Sequence, residues 1–143
     1  MLAKAFGPNS ISLTGEQLSF PEAVDRAVGL LELDNRVTPD YRLQVQQSLT
    51  NLGPYFVVAP GIALAHAAPS EAVIEIGFAL LRLEVGAVSG SSNDPVRLVF
   101  AFCTPTPDDH IELLGEFAKF VSEPGKVNLL LNASAESVIR SLL

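Results

Sequence analysis

Apolar residues recur at every third or fourth position in three stretches of the chain, residues 20–31, 41–52 and 111–121. This spacing predicts three helices that each bury one face. Ser19, Thr38 and Thr106 precede these stretches, each with a proline close behind, as is typical of a helix start. Glu22 also completes a capping box with Ser19. Ser134 can cap a fourth helix that runs to Leu142, and residues 124–131 are predicted to be helical or irregular.

Apolar runs bounded by turn residues predict the β-strands. They are Ser10–Leu13, Phe56–Ala59, Ile62–Ala65, Val73–Glu84 and Val96–Cys103. The last run is apolar on both faces, so we expect it to be a fully buried central strand. The order of strands and helices predicts an α/β fold: a single domain over residues 1–143, with a mixed sheet of about five strands flanked by helices.

Composition narrows the classes of function. The chain has 143 residues, a hydrophobic fraction of 48% and a net charge of −7, which favours a packed core and argues against nucleic acid or an anionic membrane as the main partner. The single cysteine excludes a disulfide framework. No run approaches the ~20 apolar residues of a membrane span, and the first residues do not resemble a secretory signal. We therefore expect a cytoplasmic protein without membrane insertion.

The two histidines are the candidate functional residues. His66 ends an apolar strand, and its alanine neighbours leave room for a large group to approach the ring. His110 falls in the first turn of the third predicted helix, a position that favours a bound anion. Taken alone, the local sequence favours a structural role for His66 and a surface position without function for His110. Both nevertheless follow strands, and α/β folds hold their sites in the loops at strand ends.

Other kinds of chemistry lack the residues they need. A metal site on the two histidines has no well-spaced third ligand, because Asp108, Asp109 and Glu112 follow no ligand pattern. The chain has neither a Gly-x-Ser-x-Gly elbow nor a phosphate-binding Gly-x4-Gly-Lys-Ser/Thr loop. Cys103 ends an apolar strand and is expected to pack as a small hydrophobe. Histidine acting as a nucleophile remains, with no metal or organic cofactor expected.

Three blocks of sequence occur in an order that resembles a known family. They are residues 53–69 (Gly-Pro-Tyr through Ala-His-Ala-Ala-Pro), residues 94–102 and residues 109–114. Together they resemble the enzyme IIA domains of the fructose/mannitol superfamily of the sugar phosphotransferase system. The Gly-Pro-Tyr start and the Ala-Pro-Gly-Ile-Ala-Leu run are most similar to the ascorbate-type branch.

The resemblance implies a phosphotransferase that carries a phosphoryl group. His66 would accept the group from the histidine-containing phosphocarrier protein and pass it to a cysteine or histidine of an enzyme IIB domain, in uptake of a sugar such as ascorbate. His110 would lie within hydrogen-bonding or one-water reach of His66 and help to hold the group, together with backbone N–H groups of residues 108–112. A carrier protein would dock on an apolar ring drawn from Phe56, Ile62, Leu64 and Phe102.

The chain departs from the family pattern beside the histidine. Ala65 stands where the family usually has Pro, and Ala68 stands where the ascorbate-type run usually has Arg. Residues 48–51 replace an Arg-Glu pair that many mannitol-type members carry. Two alternatives therefore stay open beside transport: a regulatory protein that signals through its phosphorylation state, and a binding domain that has lost its chemistry. The sequence names neither the sugar nor the oligomeric state.

Overall fold

The five strands form one mixed sheet. A computed structural model describes all 143 residues and gives the strands as β1 Phe6–Thr14, β2 Val57–Ala59, β3 Ile62–Ala65, β4 Gly77–Ala87 and β5 Val96–Cys103. Their order across the sheet is β1-β4-β5-β3-β2. β5 runs parallel to β3 and antiparallel to β4, whereas β1 is parallel to β4 and β2 antiparallel to β3. The predicted α/β class and mixed sheet are confirmed.

Six helices cover the two faces of the sheet. They are α1 Leu2–Ala5, α2 Phe20–Leu33, α3 Pro39–Leu52, α4 Pro107–Ser122, α5 Lys126–Asn132 and α6 Glu136–Ser141, and a 3₁₀ turn spans Pro54–Phe56. α2 and α3 pack on one face, and the other four helices pack on the opposite face. Alternate residues of β5 enter the two cores: Val99 and Ala101 contribute to one, and Phe100 and Phe102 to the other. None of the helices combines the length and apolar character needed to cross a membrane.

β5 occupies the centre of the sheet, as its composition predicts. It lies between β4 and β3, and every residue except the partly exposed Arg97 is buried. A strand with partners on both edges and helices on both faces leaves little room for solvated side chains, which explains its nearly unbroken apolar sequence.

The sequence signals for helix starts are confirmed at two of the three sites. The Ser19 hydroxyl accepts from the Glu22 N–H at 3.2 Å and the Glu22 carboxylate accepts from the Ser19 N–H at 3.1 Å, which completes the capping box. The Thr106 hydroxyl accepts from the Asp109 N–H at 3.2 Å. Thr38 makes no such bond at the start of α3, although proline still begins that helix.

Several boundaries differ from the sequence prediction. β4 begins at Gly77, because residues 73–76 turn away from the sheet and Val73 forms only an isolated bridge with Val37. α6 has Ala135 at its N-cap, so the prediction that Ser134 caps it is wrong. Two helices lie beyond the four predicted: α1 has only 4 residues and so lacks a readable period, and α5 falls where residues 124–131 were predicted to be helical or irregular.

Candidate functional site

The fold brings the two histidines together at the C-terminal ends of the strands β3 and β5. β3 and β5 are parallel neighbours, with Ala65 opposite Ala101, so the residues that follow them emerge side by side. His66 follows β3 directly, and His110 lies in the first turn of α4, which begins shortly after β5. The two ring centroids are 5.4 Å apart. The expected proximity of the two imidazoles is therefore confirmed, although no hydrogen bond joins them directly.

Aromatic rings hold the imidazoles in place. The ring of Phe102, at the end of β5, lies 4.8 Å from that of His66 and 5.0 Å from that of His110, centroid to centroid. Phe56 approaches the His66 ring from the 3₁₀ turn, at 5.6 Å. Both phenylalanines are buried. Each imidazole thus rests against apolar surface, which excludes water from that side and disfavours a charged ring.

The hydrogen bond of His66 fixes which of its nitrogens is free. Nδ1 lies 3.0 Å from the carbonyl oxygen of Leu64. A carbonyl only accepts, so Nδ1 carries the proton and Nε2 keeps its lone pair. Burial lowers the pKa of His66 below its ordinary value; the Leu64 carbonyl opposes that shift and nearby His110 reinforces it. The ring is consequently a neutral base with an available nitrogen near neutral pH.

His110 is held from two directions. Its backbone N–H donates to the carbonyl of Thr106 at 3.1 Å, within the first turn of α4. Its side-chain Nδ1 lies 3.3 Å from the hydroxyl oxygen of Thr104, which is buried. Burial also lowers the pKa of His110. Thr104 was not identified from the sequence, because a threonine in a connecting segment carries no local signal of such a contact.

The start of α4 offers fewer backbone donors than the sequence suggested. Pro107 has no N–H, the Asp109 N–H donates to the Thr106 hydroxyl, and the His110 N–H donates to the Thr106 carbonyl. Within residues 107–110, only the N–H of Asp108 is left without a protein acceptor. The side chain of His110 is therefore the principal donor that this helix start can present to an anion.

Positive charge is almost absent from the contacts of the site. Neither histidine bonds a Lys, an Arg or a carboxylate. Seven of the nine Lys and Arg side chains are engaged elsewhere; they are Arg26, Arg36, Arg42, Arg82, Arg97, Lys126 and Arg140. The cleft beside Ala67 and Ala68 has a volume of about 380 Å³ and is lined by neutral polar side chains, Gln44, Gln47, Ser48, Asn51 and Ser70.

His, Cys, Asp and Glu side chains nowhere gather in a group of three that could hold a metal ion.

The predicted apolar docking ring is wrong. All four of its residues are buried, with exposed fractions of 0 to 4%; they are Phe56, Ile62, Leu64 and Phe102. The reason is that the helices cover both faces of the sheet, so apolar strand residues enter one core or the other. Large apolar side chains are instead exposed next to the site residues. Tyr55 precedes Phe56 and Ile111 follows His110, and Val58 lies on the edge strand β2.

Tyr41 connects the two strand ends that carry the site. Its hydroxyl donates to the Phe102 carbonyl at 2.8 Å and accepts from the Ala67 N–H at 3.0 Å. Tyr41 is fully buried, and burial raises the pKa of its hydroxyl. The side chain thereby ties the residue after His66 to the residue whose ring supports both imidazoles. From the sequence Tyr41 was predicted only to face the core, since both partners are distant along the chain.

Replacing Tyr41 with phenylalanine should lower the free energy of unfolding by about 1–3 kcal/mol, because the buried Ala67 N–H and Phe102 carbonyl lose their partner. Urea denaturation followed by circular dichroism measures this change. Tyr55→Phe is the matched control, since Tyr55 is exposed and its hydroxyl makes no hydrogen bond. Equal unfolding midpoints for the two variants would show that the Tyr41 bonds contribute nothing.

Comparisons of the sequence and of the structure with known proteins point to the same family. The family model described as "Phosphoenolpyruvate-dependent sugar phosphotransferase system, EIIA 2" matches residues 4–143. The ascorbate-specific EIIA component of Salmonella choleraesuis is 35% identical over 106 residues, which cover 73% of this chain and 69% of that protein. The solution structure of the mannitol-specific cryptic phosphotransferase enzyme IIA of Escherichia coli is 28% identical and superposes with a TM-score of 0.89 over 99% of this chain and 96% of that one.

A second solved structure shares the fold at lower identity. It is the enzyme IIA for mannitol of Escherichia coli, solved in complex with phosphorylated enzyme IIB, with 19% identity and a TM-score of 0.79 over 96% of each chain. The full-length family match and the relative at 35% identity agree with the resemblance seen in the sequence blocks. The chain therefore belongs to the EIIA 2 family of the phosphoenolpyruvate-dependent sugar phosphotransferase system.

Proposed function

We propose that the protein carries a phosphoryl group on Nε2 of His66. The group comes from the histidine-containing phosphocarrier protein and passes to a cysteine or histidine of an enzyme IIB domain, in cytoplasmic steps of sugar uptake. The observation that carries this proposal is the bond from His66 Nδ1 to the Leu64 carbonyl, because it leaves the lone pair of Nε2 free on a ring whose centroid lies 5.4 Å from that of His110. Ascorbate is the candidate sugar, since the ascorbate-specific relative is 35% identical.

The chemistry needs positioning and charge stabilisation rather than a cofactor. A phosphorus–nitrogen bond forms at Nε2 while the bond to the donor histidine breaks, and Nδ1 keeps its proton throughout. In the onward transfer, a bond from phosphorus to the acceptor cysteine or histidine forms while the phosphorus–nitrogen bond at Nε2 breaks. His110, whose ring lies 5.4 Å from that of His66, is the side chain available to donate a hydrogen bond to the group. A phosphoryl group bears about two negative charges. A site without a contacting cation therefore stabilises the phosphorylated state less, which favours onward transfer.

The surface around the site suits transient protein partners. Tyr55, Val58 and Ile111 expose apolar side chains, Ile111 directly after His110 and Tyr55 directly before Phe56, and the net charge of −7 favours a partner with a basic face. A related enzyme IIA of Escherichia coli was solved in complex with phosphorylated enzyme IIB, which supports an enzyme IIB domain as the acceptor here.

The test is a two-stage transfer assay. The protein is labelled through the general phosphotransfer proteins and phosphoenolpyruvate, and then mixed separately with enzyme IIB domains of the ascorbate and mannitol types. We expect acid-labile label on this chain, followed by its loss to the ascorbate-type domain. Label that no enzyme IIB domain removes would favour the regulatory alternative. Absence of label in the first stage would overturn the carrier function and favour a binding domain.

The acceptor activity of His66 should persist at a lower pH than the pKa of an ordinary histidine, 6.5, would allow. Because burial lowers the pKa of His66, the neutral ring predominates at pH 6.5, and the nucleophile is lost only as the pH falls through the lowered pKa. Between about pH 8 and 6.5 the phosphorylation rate should therefore fall less than it would for a histidine with the ordinary pKa of 6.5.

An NMR titration of the His66 ring measures that pKa in the isolated protein and separates it from titration of the donor. A midpoint at or above 6.5 would contradict the expected direction of the shift.

A further inference from the structure

The hydroxyl of Thr104 has one hydrogen-bond partner in the structure, the imidazole of His110. Thr104 lies between β5 and α4, and its side chain is 1% exposed. Its Oγ1 is 3.3 Å from Nδ1 of His110. No carbonyl, carboxylate or other side chain accepts from this hydroxyl. The contact is therefore the only one that can satisfy the buried hydroxyl hydrogen.

The direction of this hydrogen bond follows from what each group can donate. A hydroxyl carries one hydrogen, and leaving that hydrogen buried without an acceptor is unfavourable. Nδ1 of a neutral imidazole accepts a hydrogen bond only when the ring proton is on Nε2. Thr104 donating to Nδ1 thus requires the Nε2–H form of His110. The opposite arrangement, with Nδ1–H donating to Thr104, would leave the hydroxyl hydrogen with no acceptor.

We propose that Thr104 is a positioning residue that holds His110 in the Nε2–H tautomer, so that this neutral side chain donates a hydrogen bond to the phosphoryl group on His66. The inference rests on the proposed carrier function. It gives the two imidazoles opposite tautomers: His66 carries its proton on Nδ1 and presents a lone pair at Nε2, whereas His110 presents an N–H.

This arrangement suits a site that no Lys or Arg contacts. A histidine that donates only when protonated would be a poor donor here, since the same apolar floor of Phe102 underlies both rings and disfavours their charged forms. A tautomer fixed by Thr104 provides the N–H without any change in charge. Each phosphoryl transfer then proceeds without a proton entering or leaving His110.

The tautomers can be measured in the unphosphorylated protein by ¹⁵N NMR of the histidine rings at about pH 8, where both are neutral. We expect His110 to show a protonated Nε2 and a hydrogen-bonded, unprotonated Nδ1, and His66 to show the reverse. Thr104→Val keeps the side-chain shape and should shift the Nδ1 signal of His110 and allow the second tautomer to appear. A wild-type His110 protonated on Nδ1 would overturn the inference.

Transfer kinetics give a second, independent readout. Thr104→Val should slow phosphoryl transfer through His66 by about tenfold, by analogy with removal of the hydrogen-bond partner that orients a metal-ligating histidine. Thr104→Ser retains the hydroxyl and should restore most of the rate. Thr38→Val is the matched control, because the Thr38 hydroxyl caps no helix and lies outside the site.

The outcomes separate this inference from the carrier function. If the wild-type protein takes no label, the carrier function fails, and the ring signals still decide the role of Thr104. If the wild-type protein transfers and Thr104→Val transfers at the same rate, the positioning role is wrong. Thr104→Ala, which removes the hydroxyl and the methyl group without adding bulk, repeats both measurements should the valine variant fold poorly.

Discussion

Replacing His66 with alanine is expected to abolish acid-labile phosphorylation of the protein. Nε2 of His66 is the nitrogen that the fold presents with a free lone pair, because Nδ1 is bonded to the Leu64 carbonyl. His110 is the only other histidine, and its Nδ1 is engaged with Thr104. Labelling through the general phosphotransfer proteins, followed by acid treatment, measures the loss. Label retained in the variant would show that the phosphoryl group resides elsewhere.

The fold of this variant must be checked because His66 packs between two aromatic rings. Phe56 and Phe102 lie 5.6 and 4.8 Å from the His66 ring, so truncation to alanine leaves a small gap. We expect only a modest decrease in the free energy of unfolding, of about 1 kcal/mol, since the ring is partly exposed. His66→Gln fills more of the gap without offering a nucleophilic nitrogen, and it should be equally inactive.

Replacing His110 with alanine should slow transfer by about 100-fold while leaving His66 able to accept the group. The physical reason is the loss of the principal donor beside a phosphoryl group of about two negative charges, at a helix start with few free N–H groups. Rapid-quench measurement of labelling and of transfer to an enzyme IIB domain separates the two steps. The end-point label should remain on His66.

A second variant tests how His110 acts. His110→Gln keeps a neutral N–H donor and should recover part of the lost rate, because the proposed role depends on donation and not on charge. Neither variant should change the free energy of unfolding by more than about 1 kcal/mol, since the side chain is only partly buried. Wild-type kinetics in His110→Ala would remove His110 from the mechanism.

The sequence predicts elements whose signals are local. Val96–Cys103 is apolar on both faces and is the central strand, and Ser19 with Glu22 forms the expected capping box. The two histidines could be placed near each other because each follows a strand in an α/β chain. Boundaries such as the start of β4 at Gly77 were not predictable, because residues 73–76 are as apolar as a strand but turn away from the sheet.

The support of the site could not be predicted from the sequence, because it depends on contacts between distant residues. Tyr41 and Phe102 are joined by a hydrogen bond across 61 positions, and a tyrosine on an apolar helix face looks like ordinary core. Phe56 and Leu64 were candidates for an apolar docking ring, but which side of a strand is covered depends on where the helices pack, and both are buried. Thr104 shows the same limit, since its role exists only once α4 places His110 against it.

The position of β5 has a consequence for how the chain folds. β5 is the last strand in the sequence and the middle strand of the sheet, and it is the only strand that joins the β1–β4 pair to the β2–β3 pair. A nascent chain that ends before Val96 therefore contains two separate two-stranded pieces, each with an unpaired apolar edge. Such edges are templates for intermolecular pairing. Premature termination before β5 should accordingly yield aggregation-prone fragments rather than a smaller folded protein.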